Sequence, residues 1–239
     1  MQKEHPFQGD LIPIMNDQFH IRYVSSNPDM VVRVNWHDAG VSSRSIADTV
    51  EEYNKSRRYF HELRDEYGVH VLNMDFVIGQ DPRYPCQLYT VTDRVYGLPI
   101  YKESPITQTR EYFDEADRTS QAVIRYIGDK KESGEEALLD LGGDQFMYGK
   151  TAADVISKIY LVDLDPIFRS VDEMVTGEPF LNGAIHEVWE LIGTFEMNLG
   201  QGSLRNARTQ LLKLLQSVDP VELDFLSKRT LNYLESNGY

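Results

Sequence analysis

The sequence predicts an α+β fold in which an antiparallel β-rich lobe with one helix precedes a reduced, mostly helical lobe. Most segments before residue 97 alternate in polarity or are rich in β-branched residues, as strands are. After Pro166, apolar residues instead recur at the spacing of an amphipathic helix. A segment containing glycine and proline at residues 97–105 separates the two patterns. We therefore assign residues 1–97 to the β-rich lobe and residues 98–239 to the helical lobe of a single compact unit.

The first lobe is predicted to begin with a β-hairpin followed by a helix. Residues 19–24 alternate in polarity and residues 30–36 are rich in β-branched side chains, which favours two antiparallel strands. Residues 43–67 carry apolar side chains at three-, four- and seven-residue steps and stop at Gly68, which predicts an amphipathic helix. Two further strands are expected at residues 69–78 and 87–95.

The second lobe is predicted to consist mainly of helices. A long polar helix is expected at residues 106–127, and a charged surface connection at residues 130–136. Asp219 and Pro220 are expected to cap the last helix. Short strands are expected near residues 145–148 and 159–162, and helices at residues 180–199, 204–218 and 221–234.

Composition and charge restrict the classes of partner. Hydrophobic residues make up 41% of the 239 residues, which is enough for a substantial core. Acids outnumber bases 38 to 24, and the net charge of -14 repels nucleic-acid backbones and anionic membrane surfaces. We therefore expect no nucleic-acid and no membrane partner, and leave a protein partner open.

The cysteine content and the N-terminal residues indicate a cellular location. Cys86 is the single cysteine, so no disulfide forms within the chain. The N-terminal residues lack the apolar region of a signal peptide, and no apolar run has the length of a membrane span. These features predict a cytoplasmic protein.

The segment KIYLVDLDP at residues 158–166 carries the strongest functional signal. An apolar run that ends on two acids and a proline predicts a buried strand with Asp163 and Asp165 at its C-terminal end. Gln145 lies eighteen residues before Asp163, in a second motif, DLGGDQ, at residues 140–145. Carboxylate and amide oxygens are hard ligands that suit a phosphate-bound magnesium ion.

These motifs and the order of elements resemble the protein-kinase-like fold, in the wide sense that includes aminoglycoside phosphotransferases. The resemblance covers residues 7–170 and is strongly divergent. Kinases place a lysine on the third strand and a glutamate on the following helix, and this ion pair aligns the nucleotide phosphates. The resemblance assigns these two positions to Arg33 and Glu52. An exposed strand residue is the alternative interpretation of Arg33.

The resemblance also implies an adenine-binding hinge between the lobes. Residues 88–97 resemble the fifth strand running into that hinge, where backbone groups at Asp93 and Val95 would bind the adenine ring of ATP. An edge strand followed by a turn explains the segment equally well. The glycine-rich phosphate loop is missing, because Gly9 is the only glycine between Phe7 and Arg33.

The motif at residues 140–145 resembles the catalytic loop of a kinase. The resemblance assigns Asp140 to the acid that orients the acceptor hydroxyl, and Gln145 to the metal-binding asparagine. It assigns Asp163 to the metal-binding aspartate, while Asp165 replaces a glycine and would either bind the metal as well or cap a helix. A glycine loop flanked by solvated acids is the alternative explanation of the first motif.

These departures from the kinase pattern lead to three functional hypotheses. The missing glycine loop and the residues at positions 33 and 145 favour a degenerate, pseudokinase-like protein with weak or no nucleotide binding and an interaction or regulatory role. The first alternative is an active small-molecule phosphotransferase that uses ATP and Mg²⁺. The second is an adaptor or structural protein that uses no nucleotide.

Overall fold

Strands dominate the described residues up to position 101, and helices dominate those that follow. The computed structural model describes residues 11–13, 21–24, 27–34, 46–81, 84–101, 107–134, 141–162 and 180–239. The α+β class predicted from the sequence is confirmed, with the larger sheet in the N-terminal part and most of the helices after it.

A five-stranded antiparallel sheet forms the N-terminal part. Its strands are β1 (Leu11–Pro13), β2 (Ile21–Val24), β3 (Asn27–Val34), β5 (Met74–Asp81) and β6 (Tyr84–Asp93). Their spatial order is β1-β2-β3-β6-β5, and the predicted first hairpin is the β2–β3 pair. Val32 of β3 faces Val91 of β6, and both are at least 96% buried. Such β-branched cross-strand pairs stabilise a sheet.

Helix α1 (Ile46–Asp65) follows the third strand and connects it to the remainder of the sheet. Phe60 and Leu63 of its apolar face are buried in the main core. The helix is closed by a hydrogen bond from the Val69 N–H to the Leu63 carbonyl (3.0 Å). Gly68 has φ 75°, a left-handed conformation that favours glycine. The predicted stop at this glycine therefore matches the structure.

A smaller four-stranded sheet combines strands from both parts of the chain. It contains β4 (His70–Val71), β7 (Tyr96–Pro99), β8 (Phe146–Lys150) and β9 (Lys158–Leu161), in the order β4-β9-β8-β7. The expectation of a chain break beginning at residue 97 is wrong, because Gly97 and Pro99 belong to strand β7. An edge strand tolerates a proline, since one side of its backbone needs no partner. The predicted lobe boundary after residue 97 falls inside β7 and stays a prediction.

Four helices complete the described residues of the C-terminal part. They are α2 (Arg110–Ser133), α3 (Phe180–Leu199), α4 (Arg205–Gln216) and α5 (Phe225–Ser236). Aromatic side chains join two of them, α2 and α3, to the small sheet: Tyr112 of α2 meets Tyr148 edge to face at 5.1 Å between ring centroids, and Phe195 of α3 meets Phe146 at 6.0 Å. None of the helices in the described ranges is both long enough and apolar enough to cross a bilayer.

Two local expectations in the helical part are wrong. Residues 130–136 were expected to form a surface connection, but α2 continues to Ser133 and Lys130 is only 6% exposed. Its ammonium group lies 2.7 Å from the Glu62 carboxylate, which compensates the buried charge. The cap of α5 is Asp224 rather than Asp219, because the Ser227 N–H donates to Asp224 Oδ1 (2.6 Å).

Helix α4 begins without a capping side chain of its own. Leu204 occupies its N-cap position, and the Leu204 N–H donates to Glu196 Oε1 of α3 (3.0 Å). The Ala207 N–H lies 3.3 Å from Asp117 Oδ1 of α2, and the Asn206 side chain donates to Asp117 Oδ2 (3.0 Å). Two backbone donors of this helix start, the Leu204 and Ala207 N–H groups, are thus satisfied by side chains of two other helices.

A buried ion pair joins α3 to α4. Glu196 and Arg208 side chains are each 3% exposed, and the guanidinium donates two hydrogen bonds to the carboxylate, one of them from Nε at 3.0 Å. The Trp189 ring lies 4.7 Å from the guanidinium carbon. Burial raises the pKa of Glu196, but the Arg208 guanidinium together with the Gly202 and Leu204 N–H groups outweighs burial and holds the pKa below its usual value.

Glu115 joins α2 to the small sheet. Its Oε2 accepts from Arg118 Nη2 (2.9 Å) and the Ile159 N–H (3.3 Å), and lies 3.4 Å from His70 Nε2. Burial raises the pKa of Glu115, but the His70 and Arg118 contacts outweigh it and lower the pKa from 4.5 to about 2. The carboxylate therefore stabilises the fold only while it is ionised.

This lowered pKa predicts a pH-dependent loss of stability. The unfolded chain binds a proton at Glu115 before the folded chain does, so the free energy of unfolding falls as the pH drops from 4.5 towards 2. Urea unfolding across this range should show a shallower pH dependence in Glu115→Gln than in the unmodified protein. The control is Glu111→Gln, an exposed position on the same helix, which should leave the slope unchanged. Equal slopes in all three proteins would contradict the prediction.

Candidate functional site

A tight glycine turn leads into β8 and carries Gln145. Residues 143–145 form one 3-10 turn, in which the Gln145 N–H donates to the Gly142 carbonyl (3.1 Å). A Cβ on Gly143 would lie 2.3 Å from the Thr194 side chain of α3, and one on Gly142 would lie 3.1 Å from Glu187 Oε2. Both glycines are buried, so the turn is held against α3 rather than exposed as a solvated loop.

Gln145 is the predicted metal ligand whose surroundings the structure describes. Its side chain is only 8% exposed, and Nε2 donates to Asp144 Oδ1 (3.1 Å). Its Oε1 is closed to solvent and accepts no hydrogen bond within the described residues. A buried carbonyl oxygen without a donor is costly, and its chemistry fits a cation or an N–H group. Its assignment to a metal stays a prediction.

The β8–β9 hairpin brings Gln145 beside the residue that precedes Asp163. The Val162 N–H donates to the Gln145 carbonyl (2.9 Å), and Phe146 pairs with Leu161. The two short strands predicted from the sequence are thus confirmed as neighbours. Asp140, Asp163 and Asp165 lie outside the described residues, and their proposed roles stay predictions. Within the described ranges, no cluster of three or more acidic, histidine or cysteine side chains is placed to bind a metal.

The far end of this hairpin is fixed by Asp154. Its carboxylate accepts from the Thr151 N–H (2.9 Å), from the Thr151 hydroxyl (2.6 Å) and from the Lys158 ammonium (2.5 Å), and also from the Tyr160 hydroxyl. Burial raises the pKa of Asp154, but these donors outweigh it and hold the pKa far below its usual range. The hairpin that ends next to Gln145 is therefore rigidly held at its turn.

Arg33 and Glu52 occupy the elements that the resemblance requires. Arg33 lies on the third strand, where it pairs with Thr90 of β6, and Glu52 lies on the helix that follows. The structure describes the backbone of both residues but not their side chains. Their ion pair therefore stays a prediction.

Asp93 and Val95, the two positions predicted to bind adenine, lie at the end of β6 and in the short linker that follows it. Asp93 Oδ2 accepts from the Asn73 amide (3.0 Å), and Val95 is partly buried. The Arg94 N–H donates to the Asp29 carbonyl (2.7 Å), and the Tyr96 hydroxyl donates to Asp29 Oδ1 (2.6 Å). The linker is thus joined to the beginning of β3, and its adenine-binding role stays a prediction.

Asn198 of α3 joins the segment that follows β7 to the helical part, a role that sequence reasoning missed. Its Nδ2 donates to the Ile100 carbonyl (2.9 Å), and its Oδ1 accepts from the Thr107 hydroxyl (2.7 Å). Asn198 is 5% exposed. The signal in the sequence was a polar residue, Asn198, on an otherwise apolar helix face. Because buried amides are usually hydrogen-bonded, this pattern indicates a buried polar contact.

The element order agrees with the order that the sequence resemblance implies. A third strand with Arg33, a helix with Glu52 and a fifth sheet strand running into a linker follow one another along the chain. Gln145 then leads directly into β8, the first strand of a short hairpin. The second strand of this hairpin, β9, ends two residues before Asp163. This is the order that the sequence motifs predicted.

Comparisons with known proteins yield structural likenesses alone. No family model matches the sequence, and no curated protein matches it at a significant level. The chain is similar to the kinase domain of PknI from Mycobacterium tuberculosis, with 13% identity, 94% of both chains covered and a TM-score of 0.46. It is also similar to the MAP kinase LmaMPK10 from Leishmania major, with 11% identity, 95% of this chain and 83% of the other covered, and a TM-score of 0.32. At such low identity, neither protein's activity is transferred to this chain.

Proposed function

We propose that this chain is a degenerate, pseudokinase-like protein that binds nucleotide weakly or not at all and acts through a regulatory interaction. The observation that carries the proposal is the orientation and burial of the Gln145 side chain. Its amide is turned towards Asp144, and the oxygen assigned to the metal is closed to solvent. A phosphate-bound metal would reach this oxygen only after the atoms that cover it had moved aside.

Three sequence features support the same proposal. Glutamine is one methylene longer than the asparagine of the kinase pattern, which displaces its oxygen from the usual position. The single Gly9 before Arg33 leaves no glycine-rich loop whose N–H groups would approach the phosphates. Arginine at position 33 also differs from lysine in shape and hydration, so it does not replace lysine in a tight pocket.

An active small-molecule phosphotransferase is the second candidate. It is favoured by the buried Gln145 Oε1, which lacks a hydrogen-bond donor within the described residues and would be satisfied by a cation. Gln145, Asp163 and Asp165 would hold Mg²⁺, which would neutralise charge on the transferred phosphate. Asp140 would orient the acceptor hydroxyl, and Arg33 would bind phosphate.

A thermal-shift titration with ATP, with and without Mg²⁺, tests the proposal. For a degenerate site, ATP near its own dissociation constant adds about 0.4 kcal/mol, which raises the melting temperature by only about 1–2 °C. Sensitive assays should detect no ATP turnover. The matched variants are Asp163→Asn and the exposed-surface control Asp114→Asn. A shift above about 5 °C with turnover, both lost in Asp163→Asn alone, would replace the proposal by the second candidate.

A further inference from the structure

The C-terminal half of helix α1 is fixed to α2 by a buried charge pair. Lys130 Nζ lies 2.7 Å from Glu62 Oε1, and the two side chains are 8% and 21% exposed. The rings of Tyr59 and Tyr126 lie 5.7 and 5.8 Å from the same ammonium group. A shielded pair with aromatic neighbours is screened by water far less than a surface ion pair.

A second set of contacts joins the residues just after α1 to the same helix. The Tyr67 hydroxyl donates to Asp129 Oδ2 (2.9 Å), and its ring meets Tyr126 edge to face at 5.3 Å. Burial and the Asp129 carboxylate raise the pKa of Tyr67 to about 12, so the phenol remains a donor at neutral pH. Arg118 also donates to the Gly68 carbonyl.

Among the described side chains, the ion pair from α1 to the large sheet is longer and more exposed. Arg57 Nη2 lies 3.7 Å from Asp75 Oδ1 of β5, and these side chains are 40% and 81% exposed. Exposed ion pairs of this kind contribute about 0–1 kcal/mol. Phe60 and Leu63 of α1, in turn, share the main core with Ile124 and Ile127 of α2.

We propose that Lys130 is a positioning residue that fixes α1, and with it Glu52, to the helical part of the molecule. This inference rests on the proposed function, because Glu52 belongs to the ancestral nucleotide site. The ion pair with Glu62 holds α1 in place without any nucleotide. Arg33 lies on the large sheet, so a movement of that sheet against the helices changes the separation between the Arg33 and Glu52 backbones.

Hydrogen exchange measured by mass spectrometry on the full chain, without nucleotide, tests this role. Lys130→Met and Glu62→Gln each leave one buried partner uncompensated, so amide exchange in residues 46–65 should rise at least about tenfold. Amide exchange in residues 180–199 should stay within about twofold of its rate in the unmodified protein. Lys130→Arg keeps the charge and should restore protection of α1. The exposed control Arg57→Ala should leave exchange unchanged.

The outcomes separate positioning from general stability. Unchanged exchange in α1, or an equal rise in α1 and α3, would overturn the proposal. The charge reversal Glu62→Lys with Lys130→Glu provides a second test if Lys130→Met does not fold, and it should protect α1 better than either single reversal. Because the readout needs no ligand, strong ATP binding would refute the degenerate function while leaving this result intact.

Discussion

Replacing Glu196 with glutamine should lower the free energy of unfolding by about 3–5 kcal/mol. The substitution keeps the side-chain shape but leaves the Arg208 guanidinium charged and 3% exposed, with no carboxylate to compensate it. Arginine does not escape this cost by losing its proton, because its pKa stays far above neutral pH. Urea unfolding at pH 7 measures the effect.

A double variant distinguishes the cost of an uncompensated charge from the value of the pair itself. Glu196→Leu with Arg208→Met removes both charges and keeps most of the buried volume, so it should be much less destabilised than Glu196→Gln. A loss of less than about 1 kcal/mol in the single variant would contradict the prediction. A double variant as unstable as the single one would show that losing the acceptor for the Leu204 N–H costs as much as the uncompensated charge.

Replacing Gly97 with alanine should destabilise the protein by about 3 kcal/mol, the upper end of the range for overpacking. The new Cβ would lie 2.1 Å from the Tyr148 carbonyl oxygen and 2.6 Å from the Gly149 Cα. These are backbone atoms of the neighbouring strand, so relief requires β7 and β8 to separate rather than a side chain to rotate. Thermal unfolding measures the loss.

Gly193 of α3 provides the matched control for this prediction. A Cβ at that position meets nothing within 4 Å, and alanine favours a helix over glycine by about 1 kcal/mol. Gly193→Ala should therefore leave the melting temperature unchanged or raise it. If Gly97→Ala melted like Gly193→Ala, the close approach of β7 and β8 would be refuted.

Regular apolar patterns made much of the fold predictable from the sequence. Residues 180–199 were predicted as a helix and form α3 with the same bounds, because its apolar stripe repeats over five turns. The strands that flank Gln145 and precede Asp163 were also found. Strand β7 was missed, because glycine and proline at positions 97 and 99 are typical of a chain break. Only the structure shows that Gly97 faces Gly149 of β8.

The order of the candidate site residues along the chain was predictable from the sequence, but their local contacts were not. The positions of Arg33, Glu52 and Gln145 on their elements followed from spacing along the chain. The burial of Gln145 depends on the close contact between Gly143 and Thr194, which are 51 residues apart in sequence. Likewise, the polar pattern placed Lys130 at the surface, because only the fold reveals the facing Glu62 carboxylate.

Side chains of other helices cap the first turn of helix α4, and this limits how the C-terminal helices can be studied in isolation. Its first turn relies on Asp117, which lies about ninety positions earlier in the chain, and on Glu196. A fragment that starts at residue 180 would lack Asp117 and would also expose the face of α3 that covers the small sheet. These three helices are therefore unsuited to expression as an autonomous module, and any dissection of the protein should keep residues 107–239 together.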